Sequence, residues 1–382
     1  MIKYIDQINI KNKKILIRVD YNVPINNGEI LSSFRLHKSI ETINYCLSQN
    51  CKIILMSHLG RPDSQDEKYS LEPLIEFLET TFKVYVHFSK DCISDDSFKV
   101  SKNLLPKEIH LLENLRFYSN ELENDHLFAK KLSEHADIYI NDAFGTSHRS
   151  HASNAAIMNY FPIKSFGFLI KNEFKYLHET VSNHNKCMLV IGGLKVSTKI
   201  KLIENFLDKS SHILIGGAMA FTFLKAKGFQ VGKSIVENDM IDVARNILDN
   251  AKIKNVNILL PVDIVCATNI NSKSRVCNIE DIKEDEAGFD IGPETSLIFA
   301  MLLDSAKSII WNGPLGAFEY SDFATSSQSI SAAVKNSTIN NNAVSIIGGG
   351  DTISAIEGYG TIDGYTHVST GGGASLKLLS GE

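Results

Sequence analysis

The chain has 382 residues, of which 43% are hydrophobic and 22% charged, with a formal net charge of -5 at pH 7. This composition excludes a disordered or fibrous protein, and the length favours two α/β domains over a single core. The mild acidity, without any run of Lys and Arg, argues against a protein that binds duplex nucleic acid.

Short apolar runs alternate with amphipathic stretches of helical length, a pattern typical of doubly wound parallel sheets covered by helices. Polar and basic segments follow most of the apolar runs in the first half. Ligands bind at the carboxyl ends of the strands in such sheets, so these segments indicate a ligand site. The predicted first-half strands are Lys14 to Val19, Lys52 to Met56, Val84 to Phe88, His110 to Leu112 and Asp137 to Ile140.

Arginines in or near these polar segments indicate what the first half binds. A guanidinium group meets phosphate or carboxylate with two parallel hydrogen bonds, so arginines that converge at one sheet edge would form an anion pocket. The alternative is that they are separate surface residues with solvated heads. His58, His148 and His151 lack a third ligand at a metal-binding spacing, so we expect them to form hydrogen bonds. The arginines concerned are Arg35, Arg61, Arg116 and Arg149.

A helix is predicted between the two halves, over Gly167 to Ser182, because its apolar residues recur at helical spacing. We place a first domain at residues 1–166, a hinge helix at 167–184 and a second domain at 185–382. The last segment of the chain is expected to return toward the first domain. The apolar positions of the helix are Phe168, Leu169, Phe174, Leu177 and Val181.

Glycine follows most of the predicted strands of the second half. Glycine lets phosphate oxygens approach backbone N–H groups, and a helix that begins there directs its positive end at the anion. Each such turn also has a steric alternative, because tight strand-to-helix turns need glycine without any ligand. The predicted strands are Met188 to Ile191, His212 to Ile215, Ile258 to Val262, Ser308 to Trp311, Ala343 to Ile347 and His367 to Ser369.

Charged residues beside these turns favour a nucleotide site. Lys195 and Lys199 are four residues apart and are predicted to lie on one face of the helix after Gly193. Asp351 directly follows a run of three glycines, where a carboxylate could hold a Mg²⁺ ion that bridges phosphates. The stretch Gly232 to Ser234 is not a P-loop, and the signatures of dehydrogenases, serine hydrolases and zinc proteases are absent.

A series of segments in order along nearly the whole chain resembles the motifs of the phosphoglycerate kinase family. Several of them are long and specific to that family. The segments are RVDYNVP (Arg18 to Pro24), SHLGRP (Ser57 to Pro62), LENLRF (Leu112 to Phe117), NDAFGTSHRSHAS (Asn141 to Ser153), GGLKVSTKI (Gly192 to Ile200), GGAMAFTFL (Gly216 to Leu224), LPVD (Leu260 to Asp263), FDIGP (Phe289 to Pro293), WNGPLGAFE (Trp311 to Glu319), GGGDT (Gly348 to Thr352) and STGGGASL (Ser369 to Leu376).

The resemblance implies two Rossmann-like domains joined by a hinge helix. It also implies reversible, Mg²⁺-dependent phosphoryl transfer between 1,3-bisphosphoglycerate with ADP and 3-phosphoglycerate with ATP. The matching positions for the acid substrate are Asp20, Asn22, Arg35, His58, Leu59, Gly60, Arg61, Arg116 and Arg149. Those for the nucleotide are Gly193, Lys195, Lys199, Gly216, Gly217, Asn312, Pro314, Glu319, Gly349, Gly350, Asp351 and Thr352, with Asp351 at the metal.

The expected mechanism needs no general base, because the attacking carboxylate is already ionised at neutral pH. We assign the stabilisation of charge to Arg35 and Lys195, with backbone N–H groups at Gly350 and Gly372. Three departures from the family pattern weaken parts of this assignment. They are Phe34 before Arg35, Thr198 where many members carry Asp, and a chain that ends at Glu382 where members usually carry a longer tail.

Two alternative functions are a nucleotide-binding protein of the same fold without catalysis, and a kinase for another small acid such as acetate or aspartate. Arg35, Lys195 and Asp351 are all present, which opposes the first alternative, and the several basic segments favour a substrate with two anionic groups.

We expect a cytoplasmic monomer with small-molecule substrates and no nucleic-acid or membrane partner. The six irregularly spaced cysteines, with no CxxC pair, fit buried thiols in a reducing compartment.

Overall fold

The computed structural model describes residues 3–179 and 186–381. The chain divides into two compact units, Met1–Phe174 and Lys175–Glu382, which we call unit 1 and unit 2. The division falls within the segment for which the sequence predicts a hinge helix. In that segment the α-helix Phe168–Phe174 is followed by a π-helical turn, Lys175–Glu179, and the predicted helical residues 180–182 lie outside the described residues.

In the described part of unit 1, parallel strands form a six-stranded sheet in the order β5-β6-β4-β1-β7-β8. A small antiparallel hairpin, β2-β3, lies outside this sheet. The strands are β1 Lys14–Val19, β2 Ile25–Asn26, β3 Glu29–Ile30, β4 Lys52–Met56, β5 Val86–Ser89, β6 Ile109–Leu112, β7 Ile138–Asp142 and β8 Lys164–Phe166. The α-helices are Phe34–Lys38, Ile40–Ser48, Leu74–Phe82, Asp95–Asn103, Ser119–Leu122, His126–Ser133 and Phe168–Phe174.

The sheet of unit 1 is covered on both faces, which explains why its central strands are apolar at successive positions. Alternate residues of a strand point to opposite faces, and β1 follows this rule. Ile15 and Ile17 belong to one buried cluster, whereas Leu16 packs with Ile54 and Met56 in another. The polar residues that follow each strand are therefore left at the sheet edge, where a ligand can reach them.

Unit 2 repeats this design, with a six-stranded parallel sheet in its described part in the order β11-β10-β9-β15-β16-β17. It also contains an antiparallel sheet, β13-β12-β14. The strands are β9 Cys187–Ile191, β10 Ser210–Ile215, β11 Asn257–Leu259, β12 Asp263–Ala267, β13 Arg275–Asn278, β14 Ala287–Ile291, β15 Ser308–Asn312, β16 Val344–Gly348 and β17 His367–Val368. The α-helices are Ile200–Phe206, Met219–Ala226, Ile241–Ile253, Pro293–Asp304, Thr325–Asn340, Gly350–Glu357 and Gly373–Leu379.

The predicted fold of two parallel-sheet α/β domains is confirmed, with corrections in detail. The strand predicted over Ile258 to Val262 ends at Leu259, because Pro261 has no N–H with which to continue the ladder. The N–H of Val262 instead donates to the hydroxyl of Thr295, at 3.0 Å. The strand predicted from Val84 begins at Val86. Among the described residues, no helix is both long and apolar enough to cross a membrane.

Unit 1 contains two fully buried histidines, His110 and His135. Their Nδ1 atoms share the hydroxyl of Ser101, at 2.8 and 2.6 Å. Nε2 of His110 lies 2.7 Å from the hydroxyl of Ser89, and Nε2 of His135 lies 2.8 Å from the carbonyl oxygen of Cys92. Burial lowers the pKa of His110 to about 3 and that of His135 to about 4. Both rings are therefore neutral in the folded protein over the ordinary pH range.

We expect unit 1 to lose stability as pH falls below the unfolded-state histidine pKa of about 6.5. The folded pKa values of His110 and His135 lie below that value, so protonation favours the unfolded chain. At pH 5 the loss should reach about 2 kcal/mol per histidine. Hydrogen exchange at pH 7.5 and 5.0, on peptides from unit 1 with peptides from unit 2 as internal control, measures this loss. His135→Gln should reduce the pH dependence, whereas the exposed His126→Gln should not; equal slopes in the two variants would contradict the assignment.

Candidate functional site

The first candidate site begins where β1 ends. Asp20 directly follows this strand and is 4% exposed. Its Oδ2 accepts a hydrogen bond from Nη1 of Arg35 at 2.6 Å. Arg35 lies in the helix Phe34–Lys38, so the pair fixes this helix to the sheet edge. The remaining guanidinium donors of Arg35, whose side chain is 31% exposed, stay available for a ligand.

The segment after β4 is held beside Asp20 by side chains from two other strand ends. The N–H of Gly60 donates to Oδ1 of Asn22 at 2.8 Å, and its carbonyl accepts from Nη1 of Arg116. The N–H and the carbonyl of Leu59 bind the two side-chain polar atoms of Asn114, at 3.1 and 2.8 Å. Two of the predicted substrate residues, Leu59 and Gly60, are thus fixed through their backbone. Arg61, the next residue, is exposed.

His58 is buried at the centre of this site, with 3% exposure. Its Nδ1 lies 3.1 Å from Nη2 of Arg18, and because a guanidinium can only donate, Nδ1 is the acceptor and the ring proton is on Nε2. Burial, and then the charges of Arg18 and other arginines, hold the pKa of His58 well below its usual value. The ring is therefore neutral, and its 4.0 Å approach to Asp20 is not an ion pair.

The structure brings the predicted arginines together. Burial is the main cause of the lowered pKa of His58, and the nearby charges of Arg18, Arg116, Arg149 and Arg35 lower it further. Burial, and then the charges of Arg149, Arg18 and Arg61, lower the pKa of Arg116 to about 10. Like charges held this close repel one another, and an anion between them would relieve that repulsion. The cluster is thus a candidate anion site, with the exposed Arg61 at its margin.

Arg18 is a member of this cluster that sequence reasoning missed. It is fully buried in β1, and its Nε donates to the hydroxyl of Ser153 at 3.0 Å. That hydroxyl donates in turn to Glu121, also fully buried, at 2.6 Å. Burial raises the pKa of Glu121, although the charge of Arg18 and the bonds from Ser153 oppose the effect. The available signal was a lone arginine inside an apolar strand, in the RVDYNVP segment.

A cavity of 940 Å³ lies elsewhere in unit 1 and does not suit an anionic substrate. Carboxylates dominate its charged lining, with Lys90 as the single cation, so it would repel phosphate and carboxylate groups. The arginine cluster is therefore the better candidate for an anionic substrate. The acidic residues of this cavity are Asp66, Glu67, Glu72, Glu76, Glu79 and Glu113.

The second candidate site is a cavity of 370 Å³ in unit 2, at the carboxyl ends of its parallel strands. Most predicted nucleotide residues line it, together with Gly372, but Gly216, Gly217 and Glu319 do not. Gly217 lies next to the cavity, with its N–H bonded to the carbonyl of Leu315 at 2.9 Å. Glu319 is an exposed residue of the loop after β15. The predicted residues in the lining are Gly193, Lys195, Lys199, Asn312, Pro314, Gly349, Gly350, Asp351 and Thr352.

The prediction that Lys195 and Lys199 share a helix face is wrong. The helix begins only at Ile200, with Lys199 at its N-cap position. Lys195 is an exposed residue of the preceding segment. Lys199 is half-buried and donates to Oδ1 of Asn312. Burial lowers the pKa of Lys199 to about 8, although the nearby charge of Asp351 opposes the effect.

Backbone contacts join the strand ends that form the floor of the cavity. The N–H of Gly193 donates to the carbonyl of Pro314 at 2.9 Å, and the carbonyl of Gly193 accepts from Met219 at 3.1 Å. Thr352, which is fully buried, accepts from the N–H of Gly313 at 2.7 Å through its hydroxyl. Beside them, the buried Nδ2 of Asn312 has no hydrogen-bond partner among the described residues. A phosphate oxygen in the cavity would satisfy such a donor.

Two helices begin at the cavity after glycines with positive φ. Gly349, with φ of 95°, precedes the helix Gly350–Glu357, and Gly372, with φ of 48°, precedes the helix Gly373–Leu379. A Cβ on Gly350 or Gly372 would meet no atom within 4 Å, so the space beside these N–H groups is open. Unpaired N–H groups at helix starts attract anions. Asp351 is exposed in the first turn of the first helix.

Comparisons with known proteins agree over the whole chain. A family model described as phosphoglycerate kinase matches residues 5–382. The phosphoglycerate kinase of Finegoldia magna is 46% identical over 386 residues, covering 100% of this chain and 96% of that protein. The phosphoglycerate kinase of Nitratiruptor sp. is 45% identical over 388 residues, covering 100% of this chain and 96% of that protein. The solved phosphoglycerate kinase of Coxiella burnetii is 37% identical with a TM-score of 0.87, covering 100% of this chain and 97% of that one.

Proposed function

This chain belongs to the phosphoglycerate kinase family, and from that premise we propose how its two units share the reaction. It is a phosphotransferase of glycolysis. A phosphoryl group passes reversibly between 1,3-bisphosphoglycerate with ADP and 3-phosphoglycerate with ATP. We assign the acid substrate to unit 1 and the nucleotide to unit 2. The observation that supports this division is a difference between the two sites. Unit 1 has an arginine cluster around a neutral His58, whereas the site in unit 2 has open helix starts and two lysines.

In unit 1 the ligand carries two anionic groups, and the arginines differ in how firmly they are held. Arg35, fixed by Asp20, is assigned to the carboxyl end where the phosphoryl group arrives. Arg61, at the exposed margin, is assigned to the phosphate that does not react. Nε2 of His58 supplies a neutral donor within the same cluster. A charge-assisted hydrogen bond from each arginine then fixes the orientation of the acid.

In unit 2 the phosphates of the nucleotide fit the cavity floored by backbone groups. Nδ2 of Asn312 and the N–H groups at Gly350 and Gly372 are the donors proposed for them. Among the described residues, no group of three or more His, Cys, Asp or Glu could hold a metal ion. Mg²⁺ commonly binds one carboxylate together with substrate phosphates, and Asp351 in the cavity lining fits that role. Bound there, Mg²⁺ would neutralise phosphate charge.

In this reaction the residues have to align the two substrates and supply positive charge to the phosphoryl group. A carboxylate oxygen of 3-phosphoglycerate attacks the γ-phosphorus of ATP, forming an acyl phosphate as the bond to the β-phosphate oxygen breaks. The carboxylate is ionised at neutral pH, so no residue has to remove a proton. Arg35 and Lys195 stabilise the charge on the phosphoryl oxygens during transfer. The exclusion of water protects the acyl phosphate from hydrolysis.

A coupled assay with 3-phosphoglycerate, ATP and Mg²⁺ tests the proposed function. We expect turnover that needs all three components, with acetate or aspartate in place of 3-phosphoglycerate giving little or none. Acetate has only one anionic group for the arginine cluster. Aspartate has two carboxylates but no phosphate, so it tests whether the second anionic group must be a phosphate. Nucleotide binding without turnover would favour a non-catalytic protein, and faster turnover of another acid would change the assigned substrate.

Closure of the two units is expected to require both substrates, because each substrate is assigned mainly to one unit. Small-angle scattering measures the radius of gyration of the free protein, of each binary complex and of the ternary complex. A non-hydrolysable ATP analogue with Mg²⁺ keeps the ternary complex from reacting. We expect the radius to fall most in the ternary complex. An unchanged radius there would contradict closure.

A further inference from the structure

Lys195 lies on a segment that has few packing contacts of its own. The segment 194–199 connects β9 to the helix Ile200–Phe206 without regular structure, and Val196 is its only fully buried side chain. Leu194, Lys195, Ser197 and Thr198 are exposed. A segment with so little buried surface opens easily unless polar contacts hold it. The position of the Lys195 ammonium group therefore depends on what fixes this backbone.

Glu237 supplies that contact. One of its carboxylate oxygens accepts from the hydroxyl of Ser197 at 2.6 Å, and the other accepts from the N–H of the same residue at 3.0 Å. The N–H of Glu237 donates to the hydroxyl of Thr222 at 3.1 Å. Thr222 is buried in the helix Met219–Ala226. Segment 194–199 is thus connected through Glu237 to the buried Thr222 of this helix.

The charge of Glu237 is compatible with this role. Burial opposes its ionisation, but hydrogen bonds from Ser197 and from the N–H of Val196, with the nearby charge of Lys195, outweigh burial and lower its pKa. Glu237 is therefore ionised at neutral pH. The charge of Lys195 lies near Glu237, but among the described residues no carboxylate oxygen comes within ion-pair distance of its ammonium group. The ammonium group stays available for a phosphate.

We propose that Glu237 is a positioning residue for phosphoryl transfer, which fixes segment 194–199 through Ser197 and so directs Lys195 at the transferred group. This inference rests on the proposed function, in which Lys195 stabilises the phosphoryl oxygens. Positioning matters because a small displacement of a group that acts in the transition state lowers the rate about 10²-fold. The effect of losing the tether should therefore be seen in kcat.

Glu237→Ala is expected to lower kcat about 10- to 100-fold, with the KM for 3-phosphoglycerate within about twofold, since that substrate is assigned to unit 1. Glu237→Gln keeps an oxygen that can accept from Ser197, and should retain most of the activity. Ser197→Ala removes one of the two hydrogen bonds without changing any charge, and should have a smaller effect than Glu237→Ala. Glu284→Ala, an exposed carboxylate of unit 2, is the matched control.

Hydrogen exchange of peptides over residues 194–199 tests the contact between Glu237 and Ser197 in the free protein. This measurement does not depend on enzyme activity. We expect faster exchange in Glu237→Ala and normal exchange in Glu284→Ala. If the wild type does not phosphorylate 3-phosphoglycerate, the proposed function fails, while faster exchange would still support the tether. In an active enzyme, unchanged kcat or unchanged exchange in Glu237→Ala would overturn the inference. So would a loss in Glu237→Gln as large as in Glu237→Ala, because charge rather than position would then matter.

Discussion

Replacing Arg35 with alanine is expected to lower kcat about 10²- to 10³-fold, the usual effect of removing one preorganised donor to a transition state. The guanidinium is held by a 2.6 Å bond to Asp20, which is itself buried. Its orientation is therefore set before the substrate arrives, and within residues 3–179 and 186–381 Asp20 is the one carboxylate that pairs with it. A contact used mainly in the transition state lowers kcat with little change in KM. Steady-state kinetics with varied 3-phosphoglycerate at saturating ATP and Mg²⁺ measures both constants.

Arg61→Ala is the matched variant, because Arg61 belongs to the same cluster but is exposed. We expect it to raise the KM for 3-phosphoglycerate about 10- to 150-fold, as for one charge-assisted hydrogen bond made in ground and transition states alike. A fall in kcat smaller than that of Arg35→Ala is compatible with this role, because part of the binding energy can drive closure. If Arg35→Ala kept its kcat and raised only KM, the catalytic role would pass to Lys195 and the metal.

Asp351→Ala is expected to raise the KM for Mg²⁺-ATP at least tenfold, by about the energy of one charge-assisted contact. The reason is that Asp351 is the carboxylate that lines the cavity of unit 2, next to the N–H groups at the start of the helix Gly350–Glu357. The binding of 3-phosphoglycerate to the free protein should hardly change, because its site is assigned to unit 1. Calorimetric titration of each ligand separates the two effects.

Glu357→Ala is the control for Asp351→Ala, since it removes a carboxylate from the other end of the same helix and outside the cavity. A carboxylate in the first turn also stabilises a helix, by about 0.3 to 1 kcal/mol, so a small loss of thermal stability in Asp351→Ala is expected. Equal weakening of both substrates would contradict the division of ligands between the units. An unchanged requirement for Mg²⁺ would remove Asp351 from the metal site.

Much of the fold could be predicted because the parallel strands are buried on both faces and therefore appear as apolar runs. The antiparallel sheet of unit 2 could not be predicted from the sequence. Its strand β13, Arg275–Asn278, is short and mostly exposed, with Val276 53% exposed, so neither an apolar run nor a clean alternation marks it. The edge strand β8, Lys164–Phe166, is too short to be recognised without its neighbour β7.

Some residues of the candidate sites could likewise be predicted from the sequence, and others could not. Residues at or just beyond strand ends, such as Asp20 and Asp351, could be located from the chain alone, because the ends of parallel strands share one sheet edge. Arg18 could not, since its buried guanidinium group is hydrogen-bonded to Ser153, which lies 135 positions away along the chain. The shared helix face predicted for Lys195 and Lys199 is wrong for a local reason. A spacing of four residues indicates a shared face only within a helix, and this helix begins at Ile200.

The floor of the unit 2 cavity consists largely of backbone groups, and this bears on the entropy of binding. A Cβ on Gly192 would lie 2.1 Å from the carbonyl oxygen of Pro314, so this close approach of two strand ends is possible only with glycine. Peptide groups held in this way have no rotamers to lose when a ligand arrives. Immobilising a flexible side chain costs about 0.5 to 1.5 kcal/mol, and under the proposed function that cost would fall mainly on Lys195 and Asp351. Most of the ordering that the proposed phosphate binding requires would then have occurred during folding.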